Sequence, residues 1–130
     1  MNEMNVRSYR VFFILSSVFF LILGVGLIVL SVSLDGKIDG HEFLIISMAV
    51  VCAANAYLVP QFIVNDERVK LIKQKAFSTS YFFNMGYSLI LMTLLYTELI
   101  HLTALQLLGM FTALIICTVF LLFVFFSKRY

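Results

Sequence analysis

Two histidines stand beside carboxylates at the edges of apolar segments: His41 lies between Asp39 and Glu42, and His101 follows Glu98. Imidazole and carboxylate groups bind zinc, and histidine also senses pH near neutrality. The usual local zinc signatures, H-E-x-x-H or paired C-x-x-C, do not occur in the sequence. We therefore expect solvated loop residues with no metal and no cofactor, and keep a metal or pH-sensing cluster as the alternative.

Catalytic groups are absent from the apolar segments, residues 11–34, 43–64, 77–97 and 102–126, which contain no Asp, Glu, Lys, Arg or His. General acid–base and nucleophilic catalysis both depend on positioned ionisable groups. The sequence therefore predicts that this protein is not an enzyme.

Four amide side chains fall within these segments, and three of them are candidates for a polar role inside the membrane: Asn55, Asn84 and Gln106. Asn55 and Asn84 lie at similar depths if both segments cross a membrane, since a helix rises 1.5 Å per residue. We predict that these two are neighbours joined by an interhelical hydrogen bond, which contributes about 0.6 kcal/mol on average. The alternative is a polar pathway for a substrate or an ion, lined by both amides.

The amino-acid composition predicts that the structural elements holding these residues are membrane-spanning helices. The chain has 130 residues, of which 62% are hydrophobic and 12% charged, whereas about 25% of a soluble domain is charged. A membrane-spanning helix needs about 20 apolar residues. The sequence predicts an all-α integral membrane protein: one transmembrane domain, residues 1–130, forming a four-helix antiparallel bundle. The expected spans are residues 11–34, 43–64, 77–97 and 102–126. The net charge of +2 is too small to favour nucleic-acid binding.

Basic residues set the expected orientation of the spans, because Lys and Arg concentrate on the cytoplasmic side of a membrane. Eight of the nine Lys and Arg residues lie in the amino terminus, in the loop at residues 65–76 or in the carboxyl tail, and four spans place these three segments on the same side of the membrane. The eight residues are Arg7, Arg10, Arg68, Lys70, Lys73, Lys75, Lys128 and Arg129; the exception is Lys37. We expect a multi-pass cell-membrane protein with a cytoplasmic amino terminus (residues 1–10), a cytoplasmic helical loop (65–76) and a cytoplasmic tail (127–130).

The loop at residues 65–76 is the most informative segment. Asn65 or Asp66 can cap a helix whose acidic residues lie at its amino end, where the helix dipole favours them. One interpretation is a capped helix that only fixes topology. The other is a docking or self-association site, whose candidate residues are Asp66, Glu67, Arg68, Lys70, Lys73 and Lys75.

The run from Asp66 to Ala76 has the pattern D-E-R-x-x-x-I-x-x-K-A. In this respect the chain resembles a family of small uncharacterised prokaryotic membrane proteins with four predicted transmembrane helices. Some similar proteins look like accessory or bacteriocin-immunity proteins. The resemblance supports the topology more than a function. The charged loop and the absence of catalytic groups favour a non-enzymatic accessory, regulatory or immunity-type protein, with the lipid bilayer and another membrane protein or a second copy as partners. The alternative is a small oligomeric transporter or channel, although four-helix multidrug exporters rely on a membrane-embedded Glu that the first span lacks.

Overall fold

The computed structural model describes residues 3–34 and 36–130, and within these ranges the chain forms four helices and no strands. They are α1 (Glu3–Leu34), α2 (His41–Phe62), α3 (Glu67–Tyr96) and α4 (Ala104–Arg129). The predicted all-α class is confirmed. The helical loop and the third apolar segment form one continuous helix, α3, since neither Gly nor Pro separates them.

Three of the described helices are long and apolar enough to cross a membrane: Asn5–Leu34, His41–Phe62 and Ala104–Arg129. These helices suggest a membrane-spanning protein. Helix α3 is less apolar because its central part is interrupted by polar side chains. The interrupting residues are Ser78, Thr79, Ser80, Tyr81 and Asn84.

Local capping explains where α3 and α4 begin. Asp66 is the N-cap of α3, and its side chain accepts a hydrogen bond from the Val69 N–H at 3.3 Å. Thr103 and Gln106 form a reciprocal capping box at the start of α4. Both devices satisfy amide groups that have no partner inside the helix.

The helices lie side by side in the order α1, α2, α4, α3. The packed pairs are α1 with α2, α2 with α4, and α4 with α3. Antiparallel α1 and α2 are joined by a hydrogen bond from Ser17 Oγ to the Ala49 carbonyl at 2.9 Å. Antiparallel α3 and α4 are joined by Tyr87 and Thr118, whose hydroxyl oxygens lie 3.0 Å apart. Helices α2 and α4 run parallel between them. The edge helices α1 and α3 therefore expose much of their apolar surface.

Small residues allow α4 to approach the start of α2 closely. Gly109 and Ala113 are buried, and small residues of this kind let helix backbones approach closely. A Cβ atom on Gly109 would lie 2.6 Å from the Gly40 carbonyl oxygen. Gly40 itself has a φ of 101°, a conformation that favours glycine. Backbone meets backbone at this point.

At the opposite end of the helices, buried apolar residues from α2, α3 and α4 form one cluster. Phe123 is its aromatic centre, with ring centroids 5.3 Å from Phe77 and 6.1 Å from Phe62, both in edge-to-face geometry. The buried members are Ala54, Leu58, Ile72, Ala76, Phe123 and Phe126. This cluster fixes the first turns of α3 against α2 and α4.

Candidate functional site

We call the end of the molecule formed by residues 65–76 and 127–130 the basic end. There the candidate interaction segment is a docked helix and not a loose loop. Val69, Ile72 and Ala76 are almost completely buried, with exposed fractions of 1%, 0% and 0%. Because these three residues share the inward face, the charged residues between them project from a fixed scaffold.

Four of the six candidate interaction residues are used within the chain. Asp66 caps α3. The Arg68 guanidinium donates to the Ser127 carbonyl at 3.1 Å, which ties α3 to the end of α4. Lys73 Nζ lies 5.4 Å from the centroid of the Phe62 ring, a distance at which a cation and an aromatic face attract. These residues hold the basic end together.

Lys75 makes the fourth internal contact, with Tyr130. Its ammonium donates a hydrogen bond to the phenol oxygen and lies 4.5 Å from the ring centroid. The hydrogen bond from Lys75 lowers the pKa of the Tyr130 phenol; burial opposes this shift, and the charges of Lys75 and Arg129 reinforce it. Exposed pairs of this kind add little stability, so the contact positions the tail and does not anchor it.

Glu67 and Lys70 differ from the other four candidates. Both are exposed, and their side chains form no hydrogen bond or ion pair with residues 5–34 or 36–130. They lie three residues apart in the first turn of α3, a separation that places them on neighbouring parts of one helix face. Glu67 and Lys70 are therefore the two candidate residues whose charges have no side-chain partner among the described residues.

The predicted hydrogen bond between Asn55 and Asn84 is not formed. Oδ1 of Asn84 is buried without a hydrogen-bond partner. Helix α3 packs along α4 and not along the length of α2, which it contacts through its first turns. Counting residues from the end of a span gives the depth of a side chain but not the direction in which it points, which is why the prediction was wrong.

Gln106, the third amide, lies at the opposite end of the molecule from the basic end. Its Nε2 donates to the Ile38 carbonyl at 2.5 Å, and its Oε1 accepts from the Thr103 N–H at 3.1 Å. It thereby connects the α1–α2 turn to the start of α4. Gln61, which was not predicted from the sequence to have a role, connects α2 to the end of α4 at the basic end. Its side-chain oxygen accepts a hydrogen bond from Ser127 Oγ.

Asp39, His41 and Glu42 lie at the end of the molecule opposite the basic end, and we call them the acidic-end cluster. One ligand atom of each residue lies within 4.8 Å of the others. The expectation of solvated residues is wrong for Glu42, whose exposed fraction is 0%. Its carboxylate accepts hydrogen bonds from Ser31 Oγ at 2.6 Å and from the Gly40 N–H at 2.9 Å. His41 Nδ1 lies 3.7 Å from the same carboxylate.

The other outer histidine, His101, is not a member of this cluster. It lines a neighbouring open cleft of about 520 Å³ together with Lys37 and Gln106. The sequence predicted both His41 and His101 at the same membrane boundary. In the structure they have different neighbours: His41 lies beside Asp39 and Glu42, and His101 lies in the cleft.

Comparison with known proteins gives no match: no family model fits the chain, and no curated protein or solved structure is significantly similar to it. The resemblance carried by the Asp66–Ala76 motif therefore stays a prediction.

Proposed function

We propose that this chain is a four-span cell-membrane protein with both termini in the cytoplasm. We further propose that it acts without catalysis, as an accessory, regulatory or immunity-type protein that binds another membrane protein. The observation that carries the proposal is the exposed pair Glu67 and Lys70 on a helix that the buried residues Val69 and Ile72 hold in place.

A fourth span is supported by the position of α3. The charge-free part of this helix, residues 77–96, measures about 30 Å at 1.5 Å per residue, which matches the hydrocarbon core of a bilayer. It runs antiparallel to α4, and Tyr87 meets Thr118 in the middle of the pair. If α4 crosses the bilayer, α3 beside it lies at the same depth.

Cytoplasmic termini are supported by the distribution of charge along this packing. The amino end of α1, the first turns of α3 and the carboxyl end of α4 share one end of the molecule, and eight of the nine Lys and Arg residues belong to those segments. The positive-inside tendency then favours the cytoplasm for this end.

A binding role is supported by the rigidity of the docked segment. Binding a partner with a side chain on a fixed helix costs less conformational entropy than ordering a free loop. An exposed acid and an exposed base on one helix face also allow a partner to be selected by complementary charge. The lipid bilayer itself meets the exposed apolar surfaces of α1 and α3, where Ile22 and Phe82 are 66% and 72% exposed.

The binding role is tested by photocrosslinking in native membranes. With the photoreactive group at position 70, we expect a discrete crosslinked product that Glu67→Lys greatly reduces, because the reversed charge repels the cationic part of the partner surface. The same group at Lys37, exposed at the other end, is the control and should not yield that product. A product at twice the mass of the chain would identify a second copy. No product from position 67 or 70 would overturn the proposal.

The fourth span is tested separately by cysteine labelling. With Cys52 and Cys117 replaced by alanine, single cysteines at Glu67 and Glu98 flank α3. We expect a membrane-impermeant thiol reagent to label position 98 from outside intact cells and position 67 only after the membrane is opened. Labelling of both positions from the same side would show that α3 does not cross.

A further inference from the structure

The carboxylate of Glu42 lacks a permanent counter-charge. Its exposed fraction is 0%, and among the described residues no Lys or Arg forms an ion pair with it. The hydrogen bonds from Ser31 and Gly40 are supplied by neutral donors. A buried carboxylate is costly unless a positive charge or a metal ion compensates it. Among the described residues, His41 is the one base within ion-pair distance of this carboxylate, with Nδ1 at 3.7 Å.

The groups around Glu42 form a suitable ligand set for a divalent cation. The acidic-end cluster offers two carboxylates and one imidazole, with one ligand atom of each lying within 4.8 Å of the others. Zinc accepts nitrogen and oxygen ligands, and sites with three protein ligands keep a fourth position for water. Asp39 and His41 are exposed, so an ion in solution can reach the cluster without passing through the helices.

The carboxylate is also oriented in the manner of a metal ligand. Ser31 Oγ, from the last turn of α1, and the Gly40 N–H each hold one oxygen of Glu42. Outer-shell hydrogen bonds of this kind fix the direction of first-shell ligands and raise metal affinity. The separation of up to 4.8 Å between ligand atoms is wider than the edge of a zinc tetrahedron, so the exposed Asp39 and His41 would move inward on binding.

We propose that Asp39, His41 and Glu42 bind a divalent transition-metal ion, with Zn²⁺ as the preferred ion and water in the remaining position. The bound ion supplies the positive charge that Glu42 lacks. It also connects the α1–α2 turn to the first turn of α2, and through Ser31 to the end of α1. This site lies at the opposite end of the molecule from Glu67 and Lys70, so the proposal does not depend on the proposed function.

The test is Zn²⁺ binding to the full-length chain purified in detergent, measured by competition with a chromophoric chelator. We expect one ion per chain and a loss of affinity of at least about tenfold in His41→Ala, Asp39→Asn and Glu42→Gln, with a similar loss in Ser31→Ala. His101→Ala and Glu98→Gln are matched controls, because these residues are outside the cluster, and they should leave the affinity unchanged. Co²⁺ in place of Zn²⁺ should give visible absorption bands that disappear in His41→Ala.

Misfolding of the variants does not obscure this test. His41 and Asp39 are exposed, so their substitution should leave metal-free unfolding unchanged even if Glu42→Gln is destabilised. Absence of stoichiometric binding to the unmodified chain would overturn the proposal. Full affinity in both His41→Ala and Asp39→Asn would overturn it as well.

Discussion

Gly109→Ala is expected to destabilise the protein by about 3 kcal/mol, the upper part of the usual range for overpacking. The added Cβ would lie 2.6 Å from the Gly40 carbonyl oxygen and 2.9 Å from its carbonyl carbon. Both are backbone atoms, so no side-chain rotation relieves the clash and the α1–α2 turn must move away from α4. The measurement is the free energy of unfolding in mixed micelles.

Gly26→Ala is the control for this substitution. Gly26 lies within α1, and no atom is found within 4 Å of an added Cβ. Alanine has the higher helix propensity, so this variant should be as stable as the unmodified protein or more stable by up to about 1 kcal/mol. Equal stability of the two variants would show that the Gly40–Gly109 contact is not formed.

Ile72→Ala should have the second large effect, a loss of about 2–5 kcal/mol. Ile72 is 0% exposed and belongs to the buried cluster that holds the first turns of α3 against α2 and α4. Truncation leaves a cavity beside Phe123 and Phe126, which also belong to this cluster. We expect faster hydrogen exchange at the amides of residues 67–76, measured together with the free energy of unfolding.

Leu71 provides the neighbouring control, because it is 40% exposed on the other side of the same turn. Leu71→Ala should change the unfolding free energy by less than about 1 kcal/mol. If residues 67–76 exchange at the same rate in both variants, the segment is not docked. The rigid presentation of Glu67 and Lys70 would then lose its basis.

The helices were predictable from the sequence because their causes are local. Long apolar runs without charges and a capping residue at Asp66 are visible in the chain itself. The sequence predicted a helical loop at residues 65–76 and a span at 77–97, and the structure joins the two in one helix, with no Gly or Pro between them.

Lateral arrangement was not predictable, because hydropathy gives depth alone. The Asn55–Asn84 prediction failed for this reason. The burial of Glu42 was not predicted, because its partner Ser31 lies eleven residues earlier, in a helix whose hydroxyl groups look like ordinary membrane residues. Gln61 was missed because its partner Ser127 is in α4. Only the folded arrangement brings such distant residues together.

The packing order divides the molecule into two hairpins, α1 with α2 and α3 with α4, which meet mainly along the seam between α2 and α4. A side-chain hydrogen bond joins the two hairpins at each end of this seam. Gln106 donates to the Ile38 carbonyl at one end, and Ser127 donates to Gln61 at the other. Sliding one hairpin past the other would break both of these hydrogen bonds. We therefore expect the two hairpins to move together while these hydrogen bonds are formed.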